Sequence, residues 1–290
     1  MHRAAIRIAR RRLLPVAIVL AIAYGGLVLL AWQFAGSAVF QPEFASGTYP
    51  PSQAPIELTT ADGVQLVARY QHPPQATHAL LFSHGNAENL GELLPLLERF
   101  QAAGFATLAY DYRGYGQSEG APSEAGIYAD IEAAYNYLRQ YKGIPAERIV
   151  LHGRSLGAAA AIDLAARKPV SGLIAESAFT SLFRVVLPPI LPFDKFRNLA
   201  KIRHIQAPVA VWHGCQDSIV PVQHGRQLFA AASEPKRHWW VAGAGHTDLV
   251  PVAGDGYVER LRAFRRWVQS PEREPRASPA PGEGTGCQRE

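Results

Sequence analysis

One serine motif restricts the possible folds of this chain more than any other feature. The serine has a glycine two residues away on either side and lies between a predicted strand and a predicted helix. Residues 153–157 read Gly-Arg-Ser-Leu-Gly. An apolar run at 148–152 precedes them and predicts a short strand, and an alanine-rich stretch at 156–167 predicts a helix. Such a serine occupies a sharp turn, where larger residues at the two glycine positions would collide with the strand and the helix. The pattern therefore predicts that the Ser155 hydroxyl projects above the edge of a sheet.

Strand-like and helical segments alternate along most of the chain. Apolar runs at 56–60 and 64–70, on either side of an Asp-Gly pair, predict a hairpin. Further strands are predicted at 79–83, 105–110, 172–175, 209–213 and 239–242, and helices at 90–103, 123–141, 222–232 and 256–268. Short strands that are apolar on both faces and separated by helices indicate a mostly parallel sheet covered on both sides. The predicted fold class is α/β, with a single catalytic domain at 56–269.

The basic residues in excess lie at the N-terminus. Five arginines fall within residues 1–12, which contain no acidic residue, and the other 24 basic residues equal the 24 acidic residues in number. Because the net charge of +5 is confined to this segment, no basic surface for nucleic acid is expected on the fold. Residues 1–12 are predicted to be a cytoplasmic segment.

An uncharged, apolar stretch follows at 13–34. A helix of this length reaches about 33 Å, enough to cross the hydrocarbon core of a bilayer. The next basic residue after Arg12 is Arg69, so the positive-inside rule predicts export of the catalytic domain. The stretch exceeds the roughly 7–15 apolar residues of a secretory signal. We therefore expect an uncleaved transmembrane signal anchor, although small residues at 35–38 leave a cleaved signal open.

Composition adds a setting for this single-pass topology. The chain has 24 arginines, 5 lysines and no Asn-x-Ser/Thr sequon, which favours a bacterial inner membrane with the domain on the periplasmic or extracellular side. Residues 35–55 are predicted to be a linker, and the Pro/Gly-rich residues 270–290 a disordered tail. The two cysteines, Cys215 and Cys287, exclude a disulfide scaffold and a CxxC zinc site. Cys215 is expected to be structural, and Cys287 to be open to pairing between chains.

Two later strands are followed by candidate partners for Ser155. A serine nucleophile needs a histidine base and a carboxylate that orients it, in the chain order serine, acid, histidine. Asp217 follows the strand at 209–213, and His246 follows the strand at 239–242 in a Gly-Ala-Gly-His sequence. Because the carboxyl ends of parallel strands meet at one edge of a sheet, we expect Ser155, Asp217 and His246 to lie together as nucleophile, acid and base.

Three other carboxylates are alternatives for the acid. Glu176 follows an earlier strand, Asp111 precedes the serine, and Asp248 follows the histidine. Asp111 is more simply explained by hydrogen bonds that hold its own loop.

Two backbone N–H groups are expected to stabilise the oxyanion of the reaction. One belongs to Leu156, at the start of the helix after the serine. The other is assigned to Asn86, in the His-Gly-Asn-Ala-Glu-Asn loop at 84–89. We expect His84 to brace this loop and Asn89 to cap the helix at 90–103. No metal-binding cluster and no phosphate-binding Gly-x-x-x-x-Gly-Lys loop occurs in the sequence, so no cofactor and no metal are expected.

These motifs together resemble a known family. The sequence is similar to α/β-hydrolases of the serine-aminopeptidase-like branch, and in particular to membrane-anchored bacterial hydrolases related to depalmitoylating abhydrolase-domain thioesterases. The resemblance covers about residues 56–268 and rests on 83–87, 111–118, 153–157, 176–179, His213-Gly214 with Asp217, and Gly245-His246. It implies an α/β-hydrolase fold with a small lid and the roles already assigned to Ser155, Asp217 and His246.

The substrate is less constrained. The segment between the strands at 172–175 and 209–213, where this fold carries its lid, is short and rich in apolar residues at 179–193. It is either a packed helix with a proline-rich turn or an apolar rim for an acyl chain. We therefore expect a membrane-anchored serine hydrolase of carboxylic esters or thioesters with apolar, lipid-like acyl groups. A serine peptidase or amidase with the same triad, and a non-catalytic membrane-tethered binding module, remain alternatives.

Overall fold

A computed structural model of the chain describes residues 2–34, 40–45, 47–48, 55–186, 194–270 and 287. Within these ranges an eight-stranded sheet has the order β1-β2-β4-β3-β5-β6-β7-β8. Its second strand is antiparallel to both neighbours, and the strands from β4 to β8 are parallel. The strands are β1 (Ile56–Thr59), β2 (Gln65–Gln71), β3 (His78–Ser83), β4 (Phe105–Tyr110), β5 (Ile149–Arg154), β6 (Gly172–Glu176), β7 (Val209–Gly214) and β8 (Lys236–Val241).

Helices cover both faces of the sheet. Alternate residues of each strand point to opposite faces, so Leu81 packs in a cluster with Ile131, whereas Leu80 and Phe82 pack in a second cluster with Phe264. The sheet is thus buried on both sides, as predicted for the α/β class. The helices are α1 (His2–Phe34), α2 (Leu94–Ala102), α3 (Glu124–Asn136), α4 (Leu156–Arg167), α5 (Phe183–Val186), α6 (Asn198–Lys201), α7 (Val222–Ala231), α8 (Leu249–Ala253) and α9 (Asp255–Gln269).

The N-terminal helix α1 includes the predicted membrane segment. Large apolar side chains between Leu14 and Leu30 are exposed along it. Among the described residues, no helix combines the length and the apolar composition that crossing a bilayer requires. The transmembrane segment at 13–34 therefore stays a prediction.

Part of the predicted linker packs on the catalytic domain. Phe40 is 4% exposed and belongs to the main apolar cluster, and residues 42–44 form a 3-10 turn. Phe40 is buried because its ring packs against Phe196 of the catalytic domain, with 6.2 Å between the ring centroids.

The two cysteines form a disulfide that no pattern in the sequence predicts. Cys215 and Cys287 are bonded to each other within the chain, so the expected pairing of Cys287 between chains is wrong. Cys287 is the one described residue between 271 and 290. The predicted disorder of the rest of the tail, the linker at 49–54, the small residues at 35–38 and the apolar lid residues at 187–193 lie outside the described residues.

One predicted helix begins later than expected. Helix α2 starts at Leu94, with a proline in its first turn and no side-chain cap. The predicted cap Asn89 instead accepts a hydrogen bond from the Gly91 N–H (2.9 Å) and donates one to the Gly47 carbonyl (3.0 Å). The capping prediction for Asn89 is therefore wrong, because its side chain is engaged in the preceding loop.

Candidate active site

Ser155 lies on the sharp turn between β5 and α4. Its φ of 53° falls in the left-handed region, which costs a non-glycine residue about 1–3 kcal/mol. The flanking glycines explain how the turn closes. A Cβ on Gly153 would lie 2.1 Å from the Gly157 carbonyl oxygen, and a Cβ on Gly157 would lie 2.0 Å from the Ser83 carbonyl oxygen. No side chain larger than hydrogen fits at either position without moving the backbone.

The structure brings Ser155, His246 and Asp217 together at the carboxyl edge of the sheet. His246 Nε2 is 2.9 Å from Ser155 Oγ, and His246 Nδ1 is 2.8 Å from Asp217 Oδ2. Since a carboxylate can only accept, Nδ1 carries the hydrogen and Nε2 is left to accept from the serine hydroxyl. The imidazole is thus oriented to take a proton from Ser155.

Backbone groups of its own loop hold Asp217. Its Oδ1 accepts from the N–H groups of Ile219 (3.0 Å) and Val220 (2.7 Å). Burial raises the pKa of Asp217, but hydrogen bonds from His213 and His246 outweigh it and hold this pKa well below its usual range. The carboxylate therefore remains ionised and can stabilise a positive charge on His246.

His213 is a contact of Asp217 that the sequence analysis did not assign. Its Nε2 is 2.7 Å from the Val220 carbonyl oxygen and 3.2 Å from Asp217 Oδ2, and the side chain is fully buried. Because a carbonyl can only accept, Nε2 carries the hydrogen and is shared between the two oxygens. The available signals were its position four residues before Asp217 at the end of a strand and its place in the His213-Gly214 motif of the resemblance.

The alternative carboxylates have other partners. Glu176 is buried, accepts from the Tyr257 hydroxyl (2.7 Å) and lies 3.0 Å from His152 Nε2. Asp111 accepts from the Leu90 N–H (2.8 Å), and Asp248 accepts from the Gly245 N–H (2.6 Å). Each of the three side chains thus supports a loop or core contact, and Asp217 is the one hydrogen-bonded to His246.

The loop carrying Asn86 lies beside the turn of Ser155. It follows β3, whose last residue Ser83 pairs in register with Gly153. Within the loop, His84 Nδ1 is 2.8 Å from the Gly85 carbonyl oxygen, as expected of a bracing residue. The backbone of Asn86 and that of Leu156, at the first turn of α4, thus belong to adjacent segments at the same edge of the sheet.

A partly buried ion pair that no sequence pattern predicts joins this loop to the serine turn. Both carboxylate oxygens of Glu88 accept from Arg154 at 2.8 Å, and Glu88 also accepts from the Gly85 N–H (2.8 Å). The two side chains are 66 residues apart in sequence, and no local pattern predicts such a pair. In the part of the chain that the structure describes, no group of three His, Cys, Asp or Glu residues could hold a metal ion.

Known proteins similar to this chain are hydrolases. A family model described as serine aminopeptidase, S33, matches residues 74–200. Alpha/beta hydrolase domain-containing protein 17B from Homo sapiens is 42% identical over 198 residues, which cover 66% of this chain and 67% of that protein. A Mus musculus relative, protein 17C, is 38% identical over 66% of this chain and 60% of its own length.

Solved structures with this fold include esterases. One from Pyrococcus furiosus superposes with a TM-score of 0.67 at 22% identity, over 79% of this chain and 98% of its own; at that identity the likeness shows the fold. The esterase domain of a Rhodothermus marinus protein has a TM-score of 0.60 at 25% identity, over 74% of this chain and 99% of its own.

Proposed function

Since this chain belongs to the α/β-hydrolase superfamily, is related to the alpha/beta hydrolase domain-containing proteins 17 and is an esterase- or thioesterase-type serine hydrolase, we propose that it cleaves apolar acyl esters or thioesters through an acyl-enzyme on Ser155. The observation that carries this proposal is the position of His246 between the Ser155 hydroxyl (2.9 Å) and Asp217 (2.8 Å).

The proposed reaction has two halves that use the same groups. His246 Nε2 takes the Ser155 proton as Oγ attacks the acyl carbonyl carbon, and Asp217 stabilises the imidazolium that forms. The N–H groups of Leu156 and Asn86 are the proposed donors to the oxyanion. The imidazolium then protonates the departing alcohol or thiol, leaving an ester on Oγ. Water, deprotonated by His246, then attacks this ester. As the acyl–Oγ bond breaks, His246 returns the proton to Oγ, which releases the carboxylic acid and the free serine.

An apolar acyl group is the proposed specificity. Phe179 is buried, whereas Leu182, Phe183 and Val185 at the start of the lid segment are partly exposed. Partly exposed apolar side chains in the segment that follows β6 favour contact with an apolar acyl chain over contact with a polar group. The esterases among the similar structures support the same reaction class.

The test is hydrolysis of p-nitrophenyl esters from acetate to palmitate by the full chain in detergent, with the matching anilides. We expect ester turnover that favours one chain length, and loss of at least about 10³-fold in kcat for Ser155→Ala. Anilide turnover at a comparable rate would identify a peptidase or amidase instead. If no substrate is cleaved and a fluorophosphonate leaves Ser155 unlabelled, the proposal is wrong.

We also propose that residues 13–34 anchor the chain in a membrane, with residues 1–12 cytoplasmic and the hydrolase domain exported. The exposed apolar side chains between Leu14 and Leu30 support this proposal, because a large apolar surface is normally covered by lipid or protein. The Cys215–Cys287 disulfide supports export, since disulfides persist chiefly in oxidising compartments.

Two arginines placed in this helix test the anchor. Each costs about 2.5–3.5 kcal/mol at the centre of a span, so the double variant Val19→Arg, Leu27→Arg should leave the carbonate-washed membrane fraction. The matched variant Val19→Ala, Leu27→Ala should stay in it. Equal distribution of both variants between pellet and supernatant would contradict the anchor.

A further inference from the structure

The segment between the N-terminal helix and the catalytic domain is hydrogen-bonded to the loop that carries Asn86. We call residues 40–45 and 47–48 the strap. The backbone N–H of Gln41 donates to Asn86 Oδ1 (3.0 Å) and lies 3.2 Å from the Tyr115 hydroxyl oxygen. The Tyr115 hydroxyl in turn donates to Asn86 Oδ1. At the other end of the loop, Asn89 Nδ2 donates to the Gly47 carbonyl (3.0 Å).

The strap is held in place by an aromatic contact below it. The ring of Phe40 lies edge-on to that of Phe196, which is fully buried. Phe196 also packs edge-on against Phe179 (6.2 Å) and Tyr128 (5.9 Å). Burial of Phe40 therefore fixes the neighbouring Gln41 N–H at the position from which it reaches Asn86.

The strap and the loop pack closely, since side chains on the glycines where they meet would not fit. A Cβ on Gly47 would lie 2.4 Å from Asn89 Oδ1, and a Cβ on Gly91 would lie 2.5 Å from the Gly47 carbonyl carbon. The backbone next to Asn86 is itself unusual, since Ala87 has a φ of 60°. A residue in this region needs surrounding contacts to hold it there.

We propose that the strap positions the oxyanion hole: by binding the Asn86 side chain, it sets the direction of the Asn86 backbone N–H. This inference rests on the proposed function, in which that N–H is an oxyanion donor. Preorganised donors stabilise charge in the transition state without having to reorient. The positioning residues are then Tyr115, Gln41 and Phe40. They stabilise the transition state and do not change the affinity for the bound substrate.

Tyr115→Phe is the principal test, because it removes only the hydroxyl that accepts from the Gln41 N–H and donates to Asn86 Oδ1. Losing a complete oxyanion donor costs about 10²–10³ in kcat, so misdirecting one should cost about tenfold with KM within about twofold. Asn86→Ala, which keeps the backbone N–H but removes both bonds to Oδ1, should cost at least as much. The double variant should be no worse than Asn86→Ala, since that variant already removes the bond between the hydroxyl and Asn86.

A matched control and an inhibitor separate positioning from folding. Tyr135→Phe removes a hydroxyl that donates to the Pro169 carbonyl (2.8 Å) and contacts neither the strap nor the loop, and it should leave kcat unchanged. The Ki of an alkylboronic acid, whose tetrahedral adduct with serine places an oxygen in the oxyanion hole, should rise by the factor by which kcat/KM falls. Thermal unfolding midpoints of all variants should remain near that of the unaltered chain.

The outcomes distinguish this inference from the proposal on which it rests. An active parent chain whose kcat and boronate Ki are the same in Tyr115→Phe and Asn86→Ala would overturn the inference and leave the proposed function standing. A rise in KM at constant kcat would also overturn it, because the strap would then shape substrate binding only. A parent chain inactive on every ester would refute the proposed function, and the inference with it.

Discussion

Backbone strain marks individual residues around the candidate site. Among the described non-glycine residues, Ala87, Ser155, Ser177 and Phe196 have positive φ values between 48° and 60°. Ala87 and Ser155 belong to the two segments that carry the proposed donors. The Ser177 hydroxyl donates to the His246 carbonyl (3.2 Å), and Phe196 supports Phe40. Conformations that each cost about 1–3 kcal/mol persist only where surrounding contacts over-determine them. Their grouping here fits a site in which geometry is maintained at the expense of stability.

The identity of the catalytic acid can be tested at single residues. Asp217→Asn keeps the shape of the side chain but no longer favours the His246 tautomer with hydrogen on Nδ1, so kcat/KM should fall about 10³–10⁴-fold. Glu176→Gln is the control, since Glu176 is bonded to His152 and Tyr257. It should lower the free energy of unfolding and change kcat/KM by less than tenfold. The reverse ranking in ester hydrolysis would assign the acid to Glu176.

Asp111 should make stability depend on pH. Burial raises the pKa of Asp111 to about 7, whereas that of an unfolded aspartate is about 3.9. The folded state therefore binds more protons between these values. The stability that the raised pKa contributes is fully present below about pH 4 and is lost as pH rises through about 7.

Asp111→Asn removes this dependence, and its amide oxygen can still accept from the Leu90 N–H. The unfolding midpoint of the parent chain should fall relative to that of Asp111→Asn as pH is raised from 4.5 to 8, as followed by circular dichroism. Parallel curves for the two proteins would show that Asp111 is ionised in the fold throughout this range.

At the scale of elements, the sequence predicted those helices and strands whose bounds depend on residues close together in the chain. Strand β4 and helix α4 have the predicted bounds, because apolar runs, a helix-forming alanine stretch and a following proline are all visible in sequence. The order serine, acid, histidine also placed three distant residues at one sheet edge. The side-chain role of Asn89 was missed, since it depends on Gly47, which is 42 residues away. The Glu88–Arg154 pair was missed for the same reason. The start of α2 was missed although the proline in its first turn is a local signal.

The disulfide is an element-scale contact with a measurable energy. It joins the C-terminal tail to the loop after β7 and closes a segment of 72 residues, so its loss should cost about 2–4 kcal/mol, mainly through the unfolded state. Cys287→Ser should therefore lower the unfolding midpoint by roughly 4–16 °C. Cys215→Ser and the double variant should show the same loss, because each removes the same bond. A parent chain whose midpoint is unchanged by reductant and by Cys287→Ser would show that the bond does not contribute.

At the scale of the whole molecule, the proposed anchor and the site are separated by very little chain. Helix α1 ends at Phe34, and Phe40 is already buried in the catalytic domain. Six residue steps extend over at most about 22 Å. If 13–34 spans a bilayer, the strap and the loop bonded to it must lie close to the membrane surface. Acyl groups carried by membrane-bound molecules would then be presented within reach of Ser155.

Lengthening this connection should separate two kinds of substrate. Thirty Gly/Ser residues inserted between residues 37 and 38 leave the strap intact but let the domain move away from the bilayer, because such a linker spans about 30 Å on average. In proteoliposomes, hydrolysis of soluble p-nitrophenyl acetate should be unchanged. Hydrolysis of an acyl ester embedded in the same vesicles should fall several-fold, since the local concentration of the site at the surface falls with linker length.

A 30-residue Gly/Ser extension placed after residue 290 is the control for added mass and should affect neither substrate. Equal rates on the embedded ester with and without the internal insertion would show that the short connection does not hold the site at the membrane.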